Sequence, residues 1–474
     1  IMLQPIHFGV NSYKAKSGLI SAERMLNCYA EITPQTSPFP NMVLGTAGLT
    51  VWKDTAVSLP VYGMRVMGEN LYVVVGDKVY KIDSSKTVTL LGNITTEIGN
   101  VTMTDNGDQV TIELPNGITY YCTSTVSSLT QITDGDFNNS GSVTTLDGFT
   151  IAALLNSNKF QWSDVNATQT WNALNAATVE ANSSKIVRVY QNNLELWFFK
   201  EDIIQVFYNT GSGSPLFQRK EGVYIEKGCA SKYSIATMDN SFFFLGNDRI
   251  VYQTIGYQLK PISTFPISQE IETYTTIDDA IGFTYVQDGH KFYCITFPSA
   301  NKTWEYDITT ELWHERQSVN NQNVDGRWRA NCHAYFAGKN LIGDFQTGII
   351  YELDPDVYTE NGTVIKREII GTTMFKNFAR MSLNKFVVMM DTGVGIATGQ
   401  GSNPQLVGRF SDNGGKTYTD ELWQPIGAEG SFLTEVFWTK IGGKARSFIA
   451  RLNYSEPTKF QIVGAFVETE SEDD

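Results

Sequence analysis

The chain has 474 residues, of which 42% are hydrophobic, 18% charged and 12% aromatic, and its formal net charge at pH 7 is −14. This length predicts two or three domains, and the composition excludes an intrinsically disordered protein. The acidic balance argues against a protein that grips duplex DNA through its phosphates, but it suits a wall past which DNA slides without adhering.

Cysteines, histidines and apolar runs give no sign of a cofactor, a metal site or a membrane span. The cysteines are odd in number and widely spaced, which predicts free thiols in a reducing compartment; they are Cys28, Cys122, Cys229, Cys294 and Cys332. The histidines are equally scattered, without metal-ligand spacing; they are His7, His290, His314 and His333. The sequence has no run of about 18 apolar residues and no signal peptide. We therefore predict no cofactor, no membrane-spanning segment and no secretory export.

Residues 1–57 differ from the rest of the chain because strand signals are few. The stretch SYKAKSGLISAERMLNCYAEITPQTSPFP ends in Pro38 and Pro40. This pattern predicts an extended arm that is anchored by its apolar residues.

Residues 58–355 repeat a unit of paired hairpins. Turn signals between alternating apolar residues recur at intervals of 36 to 50 residues. The predicted turns are Gly68-Glu69-Asn70, Asn106-Gly107, Asp147-Gly148, Asn192-Asn193, Asp239-Asn240, Gln287-Asp288-Gly289 and Gly338-Lys339. Four short strands per unit at this period are typical of a β-propeller blade. We predict an all-β chain with a β-propeller of about seven blades, and a six-bladed ring with one aberrant unit is the alternative.

The third strand of each unit carries an aromatic residue, which we expect to pack between blades. These residues are Tyr80, Tyr120, Phe160 with Trp162, Phe207, Tyr252, Trp304 and Tyr351. In KTWEYDITTELWHER, residues 302–316, Trp304 and Trp313 flank a polar turn that the Asp307 side chain can hold by bonding backbone amides. We interpret both tryptophans as core between blades and not as a ligand platform.

Residues 356–474 read as further strands and predict a β-sandwich-like domain, built together with the N-terminal arm. The segment FSDNGGKTY, residues 410–418, is similar to the Asp-box turn of sialidases, with Asn413 in the place usually held by Asp. We interpret it as a structural turn. The acidic tail ETESEDD is expected to be frayed.

No pattern predicts catalysis. The sequence has no G-x-S-x-G elbow, GSGS at 211–214 lacks the lysine of a phosphate loop, and GVGIATGQGSNP at 393–404 precedes no helix. The arginines of DGRWRANCH, 325–333, suggest a local contact and not a nucleic-acid reader. The remaining candidates for paired carboxylates are expected to be solvated turns; they are Glu270, Glu272, Asp278, Asp279, Asp354 and Asp356.

Three motif segments resemble the packaged-DNA stabilisation proteins of short-tailed bacteriophages, which are tail hub or nozzle proteins. The first is Asn27, Cys28, Tyr29 and Glu31, and the second is Gly45, Thr46, Gly48 and Leu49, with Ala47 where the family usually has proline. The third is Ser411, Asp412, Gly414, Gly415, Thr417 and Trp423, with Asn413 and Tyr418 as mild departures. We expect these residues to have structural roles in assembly.

The resemblance implies a virion protein of the phage tail that is assembled in the cytoplasm of the host bacterium. Such proteins form a ring, usually a hexamer, below the portal and the adaptor, or head–tail connector. The ring continues the DNA channel without sequence-specific binding, helps to retain packaged DNA, and docks tail fibres or spikes and a plug or needle. Residues 1–57 and 356–474 would build the ring and contact the adaptor, and the propeller at 58–355 would present loops to other tail components.

Two rival hypotheses stay open. A glycan-degrading propeller would carry clustered carboxylates at its central mouth and would turn over a bacterial glycan. A monomeric binding module for carbohydrate or peptide would carry an aromatic pocket on one face. The tail hub predicts ring assembly without enzymatic activity.

Overall fold

The computed structural model describes every residue except 1, 2, 7, 38, 96, 181, 212, 214, 376–378 and 472–474, so His7 and Pro38 lie outside the described residues. The described chain consists of β-strands and one short helix, α1 (Phe265–Glu272). The predicted all-β class is confirmed.

The N-terminal region contains more strand than its sequence predicts. Its strands are β1 (Gln4–Ile6), β2 (Tyr13–Lys14), β3 (Ala22–Leu26), β4 (Cys28–Ile32), β5 (Asn41–Gly45) and β6 (Gly48–Asp54). Several of them pair with strands near the other end of the chain, as when β1 pairs with the last strand. Because such pairing depends on distant partners, local strand propensity did not predict it.

Seven four-stranded antiparallel units follow within the described residues, and they form the blades of a β-propeller. Blade 1 is β7 (Val61–Met67), β8 (Asn70–Val75), β9 (Lys78–Asp83) and β10 (Val88–Asn93); blade 2 is β11 (Thr102–Asp105), β12 (Gln109–Glu113), β13 (Thr119–Thr123) and β14 (Thr130–Gln131). Blade 3 is β15 (Ser140–Leu146), β16 (Phe149–Leu154), β17 (Lys159–Asp164) and β18 (Ala167–Thr178); blade 4 is β19 (Ile186–Asn192), β20 (Glu195–Lys200), β21 (Ile204–Asn209) and β22 (Phe217–Arg219). Blade 5 is β23 (Ala236–Met238), β24 (Ser241–Leu245), β25 (Val251–Ile255) and β26 (Gln258–Pro261); blade 6 is β27 (Ile281–Gln287), β28 (His290–Phe297), β29 (Lys302–Asp307) and β30 (Leu312–Val319), with β31 (Asp325–Arg327) paired to β30.

Blade 7 closes the ring with a strand from the N-terminal region. It consists of β32 (Ala330–Phe336), β33 (Lys339–Asp344), β34 (Ile349–Asp354) and β6. Strand β6 pairs antiparallel with β34, with Leu49 opposite Leu353, and β32 contacts β7 of blade 1. The outer strand of the last blade therefore comes from the predicted arm. The division of the chain at residues 57 and 355 stays a prediction.

The blades are held together by apolar clusters between neighbours. Within the described residues, one buried cluster joins each successive pair of blades around the ring. The predicted third-strand aromatics are all at most 8% exposed. Trp304 and Trp313 lie between blades 5 and 6, where their indole nitrogens donate to the Tyr274 hydroxyl and the Ile262 carbonyl. Their interpretation as core is confirmed.

The hairpin turns follow the predicted chemistry, with two shifts of one residue. Asp147-Gly148 and Asp239-Asn240 form two-residue turns with positive φ at both positions, as type I′ turns require. The turn predicted at Asn192-Asn193 lies at Asn193 and Leu194, and the one predicted at Gly338-Lys339 lies at Ala337 and Gly338. The positive φ of Leu194 and Ala337 was not readable from residue type.

Two short strands, β35 (Thr359–Glu360) and β36 (Thr363–Val364), extend the sheet of blade 7 beyond β6. The strands after them, with part of the arm, form a β-sandwich. They are β37 (Arg367–Ile370), β38 (Met374–Phe375), β39 (Met381–Met390), β40 (Gln405–Ser411), β41 (Leu422–Pro425), β42 (Val436–Ala445), β43 (Ser447–Tyr454) and β44 (Gln461–Ser471). One sheet runs β4-β5-β44-β39-β42, with β1 on β44, and the other runs β3-β37-β43-β40-β41. Phe386 and Phe410 pack across them with ring centroids 5.3 Å apart. The predicted sandwich of arm and C-terminal strands is confirmed.

The acidic tail is more ordered than expected. Strand β44 continues to Ser471, which pairs with Met381 of β39. Pairing with the long strand β39 gives the end of β44 backbone hydrogen bonds that cannot be predicted from the local sequence. Residues 472–474 lie outside the described residues.

Candidate functional site

Strand β3 joins the propeller to the sandwich. It runs parallel to β30 of blade 6, with Leu26 opposite Glu315, and antiparallel to β37, with Met25 opposite Ile369. The sheet of blade 6 thus continues through β3 into the sandwich. We call this region the joint; it comprises β3, β4, β30 and β37.

Asn27 lies at the centre of the joint, where the chain leaves β3 and enters β4. Its φ is 52° and it is 2% exposed. Its side-chain amide donates to the carbonyls of Gln317 at 3.0 Å and Lys366 at 2.9 Å, and its Oδ1 accepts from the Gln317 amide at 2.9 Å. Asparagine tolerates the left-handed conformation, and its amide here replaces backbone pairing.

A cluster of charges also crosses the joint. Arg24 donates to Glu315 of the propeller through Nε at 2.9 Å and Nη2 at 2.6 Å, and to Glu368 of the sandwich through Nη1 at 2.8 Å. Arg451 and Asn453 donate to the other oxygen of Glu368. Burial alone would raise the pKa of Glu368, but the charges of Arg24 and Arg451 and the bond from Asn453 outweigh it and lower that pKa.

Strand β4 contributes to two cores at once, because successive side chains of a strand point to opposite faces. Cys28 and Ala30 lie in the sandwich core, whereas Tyr29 packs in the core of blades 6 and 7. The Tyr29 ring contacts His290, with centroids 5.0 Å apart. Glu31, the last residue of the first motif, is half-buried.

The second motif packs directly against the first. Thr46 donates through Oγ1 to the Asn27 carbonyl at 3.2 Å. A Cβ on Gly45 would lie 2.6 Å from Arg367 Nε, and one on Gly48 would lie 2.4 Å from the Val357 carbonyl oxygen. Both glycines therefore permit close approach of the chain, and the neighbouring Leu49 is buried between blades 6 and 7.

The third motif forms the predicted structural turn after β40. The amide of Gly415 donates to Ser411 Oγ at 2.9 Å, and that of Thr417 donates to Asn413 Oδ1 at 3.0 Å. Gly414 and Gly415 have positive φ. Unlike the first two motifs, this turn contacts the stretch around Gly18 and Leu19.

The two remaining residues of the third motif, Asp412 and Trp423, are exposed, and Trp423 lies on β41. The structure thus brings the first two motifs together at the joint and leaves the third on the sandwich. A role of any of the motif residues in assembly stays a prediction.

The propeller has a central mouth that the sequence did not reveal. It is a cavity of about 410 Å³, lined mainly by the first strands of blades 1, 2 and 4 to 7, and its polar and aromatic lining includes Tyr62, Arg65, Arg188, Tyr190, His333 and Tyr335. Among the described residues that line it, none is Asp or Glu. The described residues that line the mouth therefore do not include the carboxylate cluster that a glycan-degrading propeller would carry there.

The segment before blade 5 closes the propeller axis beneath the mouth. Lys232 Nζ contacts both carboxylate oxygens of Glu113, in blade 2, at 2.8 Å. Beside it, the Tyr233 hydroxyl donates to the Asn100 carbonyl at 2.5 Å. Burial raises the pKa of Glu113 and lowers that of Lys232. We call residues 231–235 the axial segment.

Several other candidates from the sequence have local structural roles. Asp279 accepts from the Ser299 amide and Asp354 from the Asp356 amide, so both hold turns. In DGRWRANCH the ring of Trp328 is buried against the Arg316 guanidinium, 3.9 Å from the ring centroid. Ser212 and Ser214 of GSGS lie outside the described residues.

Within the described part of the chain, the cysteines are free thiols and no group of His, Cys, Asp or Glu residues has metal-binding geometry. No helix there has the length and apolarity needed to span a bilayer.

These features define a large all-β protein in which the sheet of one β-propeller blade continues into a β-sandwich. A family model described as "Bacteriophage P22 Gp10, beta-propeller" matches residues 5–358. The chain belongs to this family, and it is therefore a structural bacteriophage protein of the phage-stabilisation family. The resemblance seen in the motifs is confirmed. No curated protein matches the chain.

Several solved structures are similar to parts of the chain at low identity. The WD40 propeller domain of Doa1 is 9% identical, with 64% of this chain and 97% of that chain covered and a TM-score of 0.40. A chain of the mitotic checkpoint complex is 12% identical, with 68% and 96% covered and a TM-score of 0.39. The designed Ika8 protein is 8% identical, with 70% and 99% covered and a TM-score of 0.37. TM-scores this low carry no argument about this chain.

Proposed function

We propose that this protein is the tail hub, or nozzle, subunit of a short-tailed bacteriophage. Copies form a ring, a hexamer, below the portal and adaptor, and the ring continues the DNA channel and helps to retain packaged DNA. The observation that carries the proposal is the family match across the arm and the whole propeller. The net charge of −14 supports a lumen to which duplex DNA does not adhere.

The proposed channel runs between copies and not through one propeller. The ion pair of Lys232 with Glu113 lies across the propeller axis, so a single subunit offers duplex DNA no passage. In a ring, each propeller is a rigid body whose outer loops are free to dock tail fibres, spikes, or a plug or needle protein.

The ring contact is proposed to lie on the sandwich. Phe432 and Leu433, adjacent on the connection before β42, are 73% and 98% exposed, and Trp423 of β41 is 57% exposed. Large apolar side chains this exposed are frequent at subunit contacts. The strands of the arm are already paired within their own chain, so the contact between copies depends on exposed surfaces such as this one.

Native mass spectrometry of the purified chain, alone and with the portal–adaptor complex, tests the proposal. We expect a closed ring, formed by the chain alone or on contact with the adaptor. Leu433→Ser should weaken the ring, whereas Leu174→Ser, at a leucine of blade 3 that is 87% exposed, should not. A strict monomer that ignores the adaptor would contradict the proposal. Cleavage of a bacterial glycan by the purified chain would favour the alternative, a glycan-degrading or glycan-binding tail protein.

A further inference from the structure

The mouth of the propeller holds one cation without a carboxylate partner. Arg65 is paired with Asp105, Nε to Oδ2, at 2.6 Å. Beneath the mouth, Glu113 is paired with Lys232 and accepts from Thr102 at 2.7 Å. Arg188 donates through Nη1 only to the Lys232 carbonyl, at 3.0 Å, and within the described residues it has no ion pair.

Two cations therefore lie near a single carboxylate at the base of the mouth, and that carboxylate is paired with Lys232. Lys232 and Arg188 both act on Glu113, and the Nε of Arg188 is buried without a hydrogen-bond partner among the described groups. The Arg188 side chain is half-buried, and because Glu113 is already paired with Lys232, one positive charge remains in excess here. In a chain whose net charge is −14, this local excess of positive charge favours an anionic ligand at this point.

The walls of the mouth carry aromatic rings with unpaired hydroxyls. The Arg188 guanidinium lies over the Tyr190 ring, 4.6 Å from its centroid. Tyr335 stands at the rim, where it is 64% exposed. Neither tyrosine hydroxyl has a hydrogen-bond partner within the described residues, nor does that of Tyr62. Tyrosines in such positions offer an apolar face beside a polar group.

The size of the mouth suits a small organic molecule. Ligand pockets commonly enclose about 300 to 1,000 Å³, and this cavity measures about 410 Å³. A ligand that matches every wall needs a carboxylate for the guanidinium, a flat apolar face for a tyrosine ring, and several hydroxyls. The side chain of an aspartate or glutamate in a peptide would meet only part of this requirement. It would supply the carboxylate, but it has no hydroxyls to pair with the phenol groups.

We propose that the mouth of the propeller binds a sugar acid, a pyranose that carries a carboxylate. The carboxylate pairs with Arg188, since guanidinium and carboxylate form two parallel hydrogen bonds. The ring lies against a tyrosine of the mouth, and its hydroxyls meet the free phenol groups. The site is built within one chain, so the inference does not depend on ring assembly.

Isothermal titration calorimetry on the full-length chain tests this site. The ligands are the methyl glycosides of glucuronic acid, galacturonic acid and N-acetylneuraminic acid, with methyl glucoside as the neutral partner of the first. At least one sugar acid should bind, and replacement of its carboxylate by a hydroxymethyl group should weaken binding about tenfold or more, because a hydrogen bond to a charged group is lost.

Variants of blade 4 separate the site from general charge effects. Arg188→Gln should lower the affinity about tenfold or more, whereas Arg188→Lys should retain part of it. Arg219→Gln is the matched control, because Arg219 is exposed on β22, the outer strand of the same blade. Tyr335→Ala, at a position whose side chain is 64% exposed, should also weaken binding. Circular dichroism melting curves show whether each variant is folded.

Several outcomes would overturn the inference. These are no binding of any of the sugar acids, equal binding of methyl glucoside and methyl glucuronide, or unchanged affinity in both Arg188→Gln and Tyr335→Ala. Tighter binding of N-acetyl glutamate amide than of every sugar acid would mean that the mouth receives an acidic peptide side chain instead.

Discussion

The side-chain amide of Asn27 and the backbone of Gln317 exchange two hydrogen bonds, at 3.0 and 2.9 Å. Through this exchange an arm residue occupies a place beside β30 that a strand residue would normally fill. The chain can then turn from β3, which extends the sheet of blade 6, to β4, which belongs to the other sheet of the sandwich. The first motif therefore has a structural explanation at the joint.

Substitution of Asn27 should destabilise the protein through two separable effects. Asn27→Gly removes three partly buried hydrogen bonds to Gln317 and Lys366, at about 1 kcal/mol each. Asn27→Ala loses the same bonds and also places a Cβ at φ 52°, which costs about 1 kcal/mol more. In denaturant unfolding, the free energy of unfolding of Asn27→Ala should be lower than that of Asn27→Gly. Equal stability of the two variants would argue against backbone strain at this position.

Removal of Arg24 should loosen the joint. Arg24→Met leaves Glu315, whose side chain is 12% exposed, with a buried uncompensated charge, and we expect a loss of about 3 kcal/mol in the free energy of unfolding. Lys366→Met, which breaks the exposed ion pair with Asp325, should cost less than about 1 kcal/mol. Calorimetric scans of both variants compare the losses. If both variants lower the free energy of unfolding by similarly small amounts, the Arg24 cluster contributes little to stability.

Gly48 should not tolerate a side chain. In Gly48→Ala the new Cβ would lie 2.4 and 2.5 Å from the carbonyl oxygens of Val357 and Thr359, which are backbone atoms and cannot rotate away. We expect a loss of about 2 to 3 kcal/mol. Gly443→Ala meets open space and should change the free energy of unfolding by less than about 0.5 kcal/mol. A tolerated alanine at residue 48 would mean that β6 can shift in blade 7.

The pair of His290 and Asp307 should make stability depend on pH. Their side chains are 2.7 Å apart, and the hydrogen bond to Asp307 raises the pKa of His290 above its ordinary 6.5. Because the folded state holds this proton more tightly, the stabilisation is fully present below about pH 6.5. It is lost as pH rises through the raised pKa. The thermal midpoint should therefore fall between about pH 6 and 8.

Two glutamine variants check this pH dependence. His290→Gln cannot titrate, so its thermal midpoint should vary less across the same range. His333→Gln is the control, because burial lowers the pKa of His333 to about 4, so this histidine is already neutral there. If the thermal midpoints of the wild type and His290→Gln vary with pH in the same way, His290 is not the source of the pH dependence.

The sequence predicted the parts of the fold that depend on near neighbours. Turn residues such as Asp147 and Gly148 specify a hairpin locally, and the aromatic on each third strand recurs because every blade needs one against its neighbour. The Asp307 turn is equally local, since its carboxylate accepts from the Thr309 amide two residues on.

Features that depend on distant partners were not predictable. Strand β6 completes blade 7 only because β34, about 300 residues later, leaves an edge open. The axial segment is held by Lys232, which pairs with Glu113 across the ring. The mouth is likewise lined by side chains from the first strands of several blades. No spacing in the sequence brings Arg188 near Tyr335. The motif residues were found by family resemblance, and the structure gave them their contacts.

The most direct test of the account is electron cryomicroscopy of the assembled phage tail. We predict a closed ring of this chain below the adaptor, with a lumen between subunits that admits duplex DNA, sandwich-to-sandwich contacts that include Phe432 and Leu433, and propellers facing outward. The absence of the chain from the ring, or a single copy at a peripheral appendage, would contradict the proposed role as tail hub.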